Sequence, residues 1–313
     1  MSTTNFEIQF APLQGFTEVN YRNAHHQIFG GVDTYFTPFV RIERGEFRNK
    51  DLRDIEMKNN TNPVIPQMIA STAEELHLLT DLFLEKGYTC ADLNLGCPFP
   101  LIANKKKGAG ILPYPTMIKD LIDAVNQRTE MQFSLKTRLG WESQEELIRV
   151  MPLINDSALT QVAVHARYGK QQYKGNIDLS AFEEVYQICE KPLLLNGDIK
   201  TPEQISDIRE QFPHLKGIMI GRGLLANPAL AAEWKEQKKW DTKELYKKVG
   251  ELHNNLYEIY SSDLSGEHQI LNKMQVFWEY LLPDADKKWR KKILKTSKLS
   301  CYNEYVKELL NSY

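Results

Sequence analysis

Apolar residues in this chain gather in short, nearly continuous runs, separated by longer stretches where they recur every three or four positions. Eight such runs read as strands: Glu7–Pro12, Thr34–Val40, Pro63–Ile69, Thr89–Leu95, Gln132–Arg138, Gln161–His165, Pro192–Asn196 and Gly217–Ile220. Runs that stay apolar, rather than alternating with polar residues, suit parallel strands covered on both faces. Helix starts lie between them. Ser71-Thr72-Ala73-Glu74 and Ser143…Glu146 read as capping boxes, and Gly87 supplies a stop for the first. Thr201-Pro202-Glu203-Gln204 sets a capping hydroxyl, an N1 proline and an N3 amide in sequence. Eight alternations over about 230 residues predict a (β/α)8 TIM barrel. A doubly wound open sheet is the competing fold. It calls for fewer strands and a G-x-G-x-x-G after the first, where this chain has Ala11-Pro12-Leu13-Gln14-Gly15-Phe16.

The pattern changes near Lys235. Asp241…Glu244 caps a helix whose Leu245, Val249, Leu252, Leu256 and Ile259 keep helical spacing. Ile270, Met274, Phe277 and Leu281 predict a second helix, and Tyr302, Tyr305, Val306 and Leu309 a last one. Residues 1–235 are therefore expected to form the barrel and residues 236–313 a small all-helical domain.

Composition narrows the class. In 313 residues, 42% are hydrophobic and 26% charged, as in soluble globular proteins, and no apolar run reaches the ~20 residues of a membrane span. Met1 to Ile8 carries no basic or apolar leader pattern. Four cysteines without C-x-x-C spacing argue against a disulfide framework and a structural metal site, and fit a reducing cytoplasm. The net charge of −2 does not announce nucleic acid, but the tail is more basic than the rest. A monomer is expected.

Chemistry is expected at the carboxyl ends of the strands, where a barrel keeps its site. The tips read Pro12-Leu13, Gln67, Asn94 with Cys97, Lys136 with Arg138, His165 with Arg167, Asn196-Gly197-Asp198 and Gly221-Arg222-Gly223. Any one of these could be a solvated strand end; together they make a site. Pro98 has no N–H and ends ladder pairing, which puts Cys97 at a tip rather than in the core. The last two tips are glycine-rich, with backbone N–H groups and Arg222 available to an anion, as a phosphate-bearing cofactor requires. An ammonium at Lys136 needs an anionic or electron-rich partner, for which a reduced flavin would serve. A Schiff base on Lys136 is the competing chemistry.

Taken in order, these motifs resemble the tRNA-dihydrouridine synthases, FMN-dependent (β/α)8 enzymes with a C-terminal helical domain. The likeness runs through Ala11-Pro12-Leu13-Gln14-Gly15, Gln67, Leu93-Asn94-Leu95-Gly96-Cys97-Pro98, Gly108-Ala109-Gly110, Lys136-Thr137-Arg138-Leu139-Gly140, Val164-His165, Asn196-Gly197-Asp198 and Gly221-Arg222-Gly223. It is close over about the first 225 residues. Phe39-Val40-Arg41 and Leu139-Gly140-Trp141 look most like the DusC branch, associated with the D-loop uridine at position 16 of tRNA.

The resemblance implies a role for each position. Pro12, Leu13 and Gln14 would line the flavin ring, with Gln67 and Lys136 on its pyrimidine edge. His165, Asn196, Gly197, Asp198, Gly221 and Arg222 would hold the ribityl chain and phosphate. Asn94 would face cofactor and substrate base, with Arg138 and Arg167 on the substrate side. NADPH would reduce FMN, hydride would pass to C6 of uridine, and Cys97 would protonate C5, a role suited to a thiol still protonated at neutral pH. The chain departs from the family in Leu13, where Met is common, and in His165-Ala166-Arg167-Tyr168, where His-Gly-Arg-Thr is usual.

A base in folded tRNA must leave its stack to reach a buried site, and the remaining RNA needs a cationic surface. Lys105, Lys106 and Lys107 beside the site are candidates. So are Lys291, Lys292 and Lys295 in the run Lys287-Lys288-Trp289-Arg290-Lys291-Lys292, where Trp289 reads as a core anchor. Two other functions compete: a Schiff-base or phosphate-sugar barrel enzyme using Lys136, and a non-catalytic RNA-binding barrel.

Overall fold

The structure is a computed structural model that describes residues 6–312. Most of the N-terminal stretch read above for a leader lies outside the described residues. Eight parallel strands close into a barrel. β1 (Glu7–Phe10) runs between β2 (Thr34–Phe36) and β8 (Gly217–Ile220). From β8 the sheet continues through β7 (Leu193–Asn196), β6 (Gln161–Tyr168), β5 (Gln132–Gly140) and β4 (Cys90–Leu95). The remaining strand, β3, comes in two pieces, Val64–Ile65 on β2 and Gln67–Met68 on β4. Pro66 separates them, since it has no N–H for the ladder. A bridge from Val40 to Met68 completes the ring. Gly217 is required where β8 meets β1, because a Cβ there would lie 2.1 Å from the Glu7 carbonyl oxygen.

Two strands run past their predicted ends. β5 reaches Gly140 and β6 reaches Tyr168; Arg138 and His165 pair with each other, and Arg167 leaves from the register shift between that pair and Gly140–Tyr168 rather than from a loop. The barrel helices are α1 (Val19–Ile28), α2 (Ala73–Glu85), α3 (Pro115–Gln127), α4 (Glu145–Asn155), α5 (Leu179–Ile188), α6 (Pro202–Gln211) and α7 (Leu230–Glu236). The cap of α6 is the predicted box, with Thr201 Oγ1 and the Gln204 amide bonded reciprocally. That of α2 is one residue later than predicted: Thr72 Oγ1 accepts from Glu75 N at 3.2 Å, and the Glu75 carboxylate turns back to Ser71 N. The motif fits either register, and seating Leu76, Leu79 and Phe83 in the core selects this one. The α4 box does not form. Gln144 is the cap residue, and Glu146 instead accepts from the N–H groups of Trp141 and Glu142.

The barrel interior is split by polarity. Ala11, Phe36, Ala163, Leu194 and Met219 fill one part with apolar side chains. Gln9, Gln67, Asp92, Ser134 and Gln161 are buried in another, bonded in two groups: Gln9 to Gln161 at 3.2 Å, and Gln67 (2.7 Å) and Ser134 (2.5 Å) to Asp92. Barrel interiors are usually branched aliphatic layers, so a buried polar lattice must be nearly fully satisfied to be tolerated.

After the barrel come α8 (Thr242–Asp263), α9 (Glu267–Gln275), α10 (Lys287–Lys295) and α11 (Leu299–Leu310). The second expected tail helix breaks after Gln275 into a tight turn, Val276–Glu279, which seats Phe277 and Trp278 in the core. There Phe277 stacks on Tyr21 of α1 with ring centroids 5.1 Å apart. Glu18, buried just before α1, binds Lys50 at 2.6 Å and Lys273 of α9. Burial opposes its ionisation, but the two ammonium groups outweigh burial and hold the carboxyl below its usual range. The tail is thereby tied to the rim at which the site opens. Among the described residues no helix is long and apolar enough to cross a membrane.

Candidate active site

A cavity of about 550 Å³ opens at the carboxyl ends of the strands, within the size range of ligand pockets. Pro12, Leu13 and Gln14 form one rim, Cys97 and Phe99 another, and Asn196 to Asp198 with Gly221 to Gly223 the far wall. Asn94, Lys136 and His165 reach it from β4, β5 and β6.

Asn94 organises the thiol side. Its Oδ1 accepts from the N–H groups of Gly96 (2.9 Å) and Cys97 (2.8 Å), and its Nδ2 donates to Gln67 Oε1 at 2.8 Å. Gln67 in turn donates to Asp92, which also accepts from Ser134. Every link has a defined direction, so the Cys97 backbone is referenced to the barrel interior. The Cys97 carbonyl accepts from Ala109 N at 2.9 Å, clamping the residue from its other end. Burial pushes the thiol above its ordinary value, against the Phe99 N–H and the nearby cations Arg138, Lys136 and Arg41. Cys97 is therefore a thiol, not a thiolate, at neutral pH.

Lys136 stands against the cavity with no hydrogen bond or ion pair among the described residues. Burial, helped by the Arg138 charge, lowers it to about 8 against the opposing pull of Asp92 and Cys97. An ammonium half-buried against a cavity wall and without an ion pair is costly unless something anionic occupies the space beside it.

The two arginines of the strand tips are anchors. Arg138 donates through Nε to the Gly96 carbonyl (2.9 Å) and through Nη1 to the carbonyls of Tyr168 (3.0 Å) and Gln172 (2.7 Å). It thus ties the residue before Cys97 to the loop after β6. Arg167 donates to the Gly175 carbonyl at 2.6 Å, to the Asp198 carboxylate and to His165 Nε2 at 3.1 Å. A guanidinium is always protonated, so His165 Nε2 must be the acceptor and Nδ1 carries the proton. Burial first, then the cations Arg138, Lys136, Arg167 and Arg222, hold His165 well below its usual value and neutral. Asp198 also accepts from Arg222 at 3.1 Å. Asn196 Nδ2 is spent on the Met219 carbonyl at 2.6 Å. At Gly221 the chain turns into a short helix that leaves the N–H groups of Arg222 and Gly223 without backbone partners.

Not every predicted site residue faces the cavity. Gln67 is fully buried behind Asn94, its amide engaged at both ends. Lys105 and Lys106 are exposed outside the cavity, with Lys106 Nζ 4.2 Å from the centre of the Tyr114 ring, and Lys107 turns away to Glu75. Lys291, Lys292 and Lys295 lie on α10, where Lys292 Nζ sits 4.4 Å over the half-buried Trp289 and 4.9 Å over Tyr305. Other lining residues were not among the predicted site residues, although Phe39 and Arg41 belong to the Phe39-Val40-Arg41 motif noted above. Tyr173 lies beneath the guanidinium groups of Arg222 (4.9 Å) and Arg138 (5.4 Å). Arg41 and Phe39 come from the segment after β2, and Tyr280 of the tail packs on Phe16 at 5.2 Å. The nearest sequence hint to Tyr173 is its place in the loop that follows His165 and Arg167.

The pattern of the dihydrouridine synthase (Dus) family matches residues 9–311. The chain belongs to the dihydrouridine synthase family. Membership makes it an enzyme of that family. Its relatives include tRNA-dihydrouridine synthase B of Vibrio parahaemolyticus, 29% identical over 54% of this chain and 50% of that one, so the match spans half the relative's length. Longer matches reach a probable tRNA-dihydrouridine synthase 2 of Bacillus subtilis (27% identical; 81% and 78%) and tRNA-dihydrouridine(16) synthase of Pseudomonas syringae (27% identical; 72% and 74%). Among solved structures, morphinone reductase in complex with tetrahydroNAD superposes with a TM-score of 0.55 at 8% identity, over 76% of this chain and 90% of that one. A variant of NCR from Zymomonas mobilis gives 0.51 at 14% identity, over 76% and 88%. Those two likenesses show the barrel fold.

Proposed function

We propose that this dihydrouridine synthase reduces a D-loop uridine of tRNA, at position 16, to 5,6-dihydrouridine, with bound FMN as cofactor and NADPH as reductant. The observation that carries the reading is the Lys136 ammonium, without a hydrogen bond or ion pair among the described residues, beside a cavity whose far wall holds Arg222, oriented by Asp198, and the N–H groups of Arg222 and Gly223. A flat, electron-rich group with a phosphate tail fits that combination. Lys136 would face the ring, with Pro12, Leu13 and Gln14 along it and Gln67 supporting from behind Asn94. His165, Asn196, Gly197, Asp198, Gly221 and Arg222 would surround the ribityl phosphate. When bound, the reduced flavin supplies the hydride for C6 of uridine.

This chain's own residues do the rest. Asn94 holds the backbone of Cys97, and Cys97, kept protonated by burial, delivers its proton to C5 as charge develops there. Arg138 and Arg167 shape the substrate side by fixing the loop after β6. Residues 236–313 form a tRNA-recognition domain that carries Lys291, Lys292 and Lys295, and Lys105 to Lys107 extend the cationic surface. The setting is the cytoplasm. A Lys136 amine lowered to about 8 is also what a Schiff-base enzyme needs, and such a protein would be colourless and trapped by borohydride with a carbonyl substrate.

The test is the purified protein's visible spectrum, with flavin bands at about 370 and about 450 nm, followed by NADPH-driven dihydrouridine formation mapped on tRNA. Cys97→Ala should retain flavin and its reduction by NADPH yet lose most tRNA reduction. A colourless protein, or unimpaired dihydrouridine formation by that variant, sinks the corresponding part of the reading.

A further inference from the structure

The largest exposed apolar feature beside the cavity is the turn that follows Cys97. Phe99 is 57% exposed and lines the cavity lip, and Leu101 is 70% exposed just outside it. A soluble surface tolerates single exposed apolar side chains, but two together at the mouth of a site mark a contact. The turn is built to be rigid. Pro100 restricts the backbone of Phe99, which is extended at φ −64°, ψ 128°, and Pro98 fixes its own φ on the other side. The Phe99 carbonyl accepts from Ile102 N and Ala103 N, both at 2.9 Å. Ile102 is buried with Phe39, Ile69 and Cys97, which leaves Phe99 and Leu101 outside. Exposed Lys105 and Lys106 follow on the same loop, and Arg41, paired with Glu43, lines the same cavity. A stiff apolar knob followed by two exposed lysines complements a base step, apolar on its faces and anionic along its backbone.

We propose that the Pro98–Leu101 turn is a wedge for RNA. Leu101 enters the gap left in the base stack when the target nucleotide swings into the cavity, and Phe99 covers the neighbouring base at the lip. The wedge rests on the reading of the cavity as a uridine site. It gives the turn a task the chemistry does not: stabilising the opened stack, as inserted apolar side chains do in other nucleic-acid complexes. Prolines suit this task, because a preorganised wedge loses little entropy on insertion.

The experiment compares the parent with Leu101→Ala, Leu101→Met and Phe99→Ala, using the full chain and folded tRNA carrying 2-aminopurine next to the target uridine. Leu101→Ala should lower kcat/KM on tRNA by about 10-fold and lose the fluorescence rise that reports unstacking. Its flavin content and the rate of flavin reduction by NADPH should match the parent, and Leu101→Met should restore both tRNA readouts. Phe99→Ala should lose the fluorescence rise as well. Turnover and fluorescence in Leu101→Ala within twofold of the parent overturn the wedge while leaving the uridine site standing. A parent that reduces no uridine overturns the site, and the wedge with it. Flotation of the parent with phosphatidylglycerol vesicles, abolished by Leu101→Ala while tRNA turnover is unchanged, also overturns the wedge, in favour of a lipid surface.

Discussion

Gly108 packs directly against Cys97, and Gly108→Ala tests whether the placement of that thiol matters to turnover. The residue has φ +58°, and a Cβ built on it would lie 2.6 Å from the Cys97 carbonyl oxygen, 2.8 Å from Cys97 Cβ and 3.0 Å from Cys97 N. Ordinary contact is about 3.5 Å, so the Cys97 backbone must retreat by roughly 0.9 Å or Gly108 by as much. Neither can move freely, because Ala109 N and Asn94 Oδ1 hold Cys97 from two sides. The left-handed backbone adds about 1–2 kcal/mol for any residue with a Cβ, and the overlap about 1–3 kcal/mol. Displacing a reacting group by about 1 Å costs on the order of 100-fold in rate. Gly108→Ala should therefore melt several degrees lower and keep its flavin, while dihydrouridine formation falls by about 100-fold. Gly30→Ala is the control: its φ is +66°, but nothing lies within 4 Å of the added Cβ. It should show the strain without the loss of turnover. If Gly108→Ala forms dihydrouridine within threefold of the parent, or loses no more than Gly30→Ala, the clamp on Cys97 does not govern the chemistry.

Two further outcomes follow from the electrostatics. Lys136, lowered to about 8, is a cation below that pH and loses its charge as pH rises through it; FMN affinity measured by fluorescence quenching should weaken across that range, and Lys136→Met should bind weakly with no such limb. Reversing the charges of Lys291, Lys292 and Lys295 should weaken tRNA binding and flatten its dependence on salt, with flavin content unchanged; unaltered affinity would return α10 to ordinary surface.

Much of the barrel was legible because the period of apolar residues reports directly which faces an element buries. The eight strands, the first and last tail helices and the tips bearing Asn94, Lys136, His165 and Arg222 follow from that period and from the turn residues that end each run, whereas the second tail helix breaks after Gln275 and the lysine-rich α10 carries too few apolar residues for a period to announce it. Motif order then supplied the family, which needs no coordinates. Whether a capping motif closes, and in which register, was not legible: Thr72 replaces Ser71 because packing of α2 on the sheet chose between two equally good local patterns. Nor was the fate of a polar tip residue. Gln67 and Lys136 look alike as strand ends, yet Gln67 is consumed by Asp92 and Asn94 while Lys136 has no hydrogen bond or ion pair among the described residues. Arg138 became an anchor because the Gln172 carbonyl, 34 residues on, arrives within hydrogen-bond reach, and Arg167 because the loop after its own strand turns back to it at Gly175 while Asp198 comes from another strand tip. Tyr280 joins the cavity only because Glu18 and Tyr21 hold the tail against the rim. Local order along the chain sets what each element is and which side it buries; which polar groups stay free to do chemistry depends on partners far away in sequence, and only closure of the barrel brings those partners together.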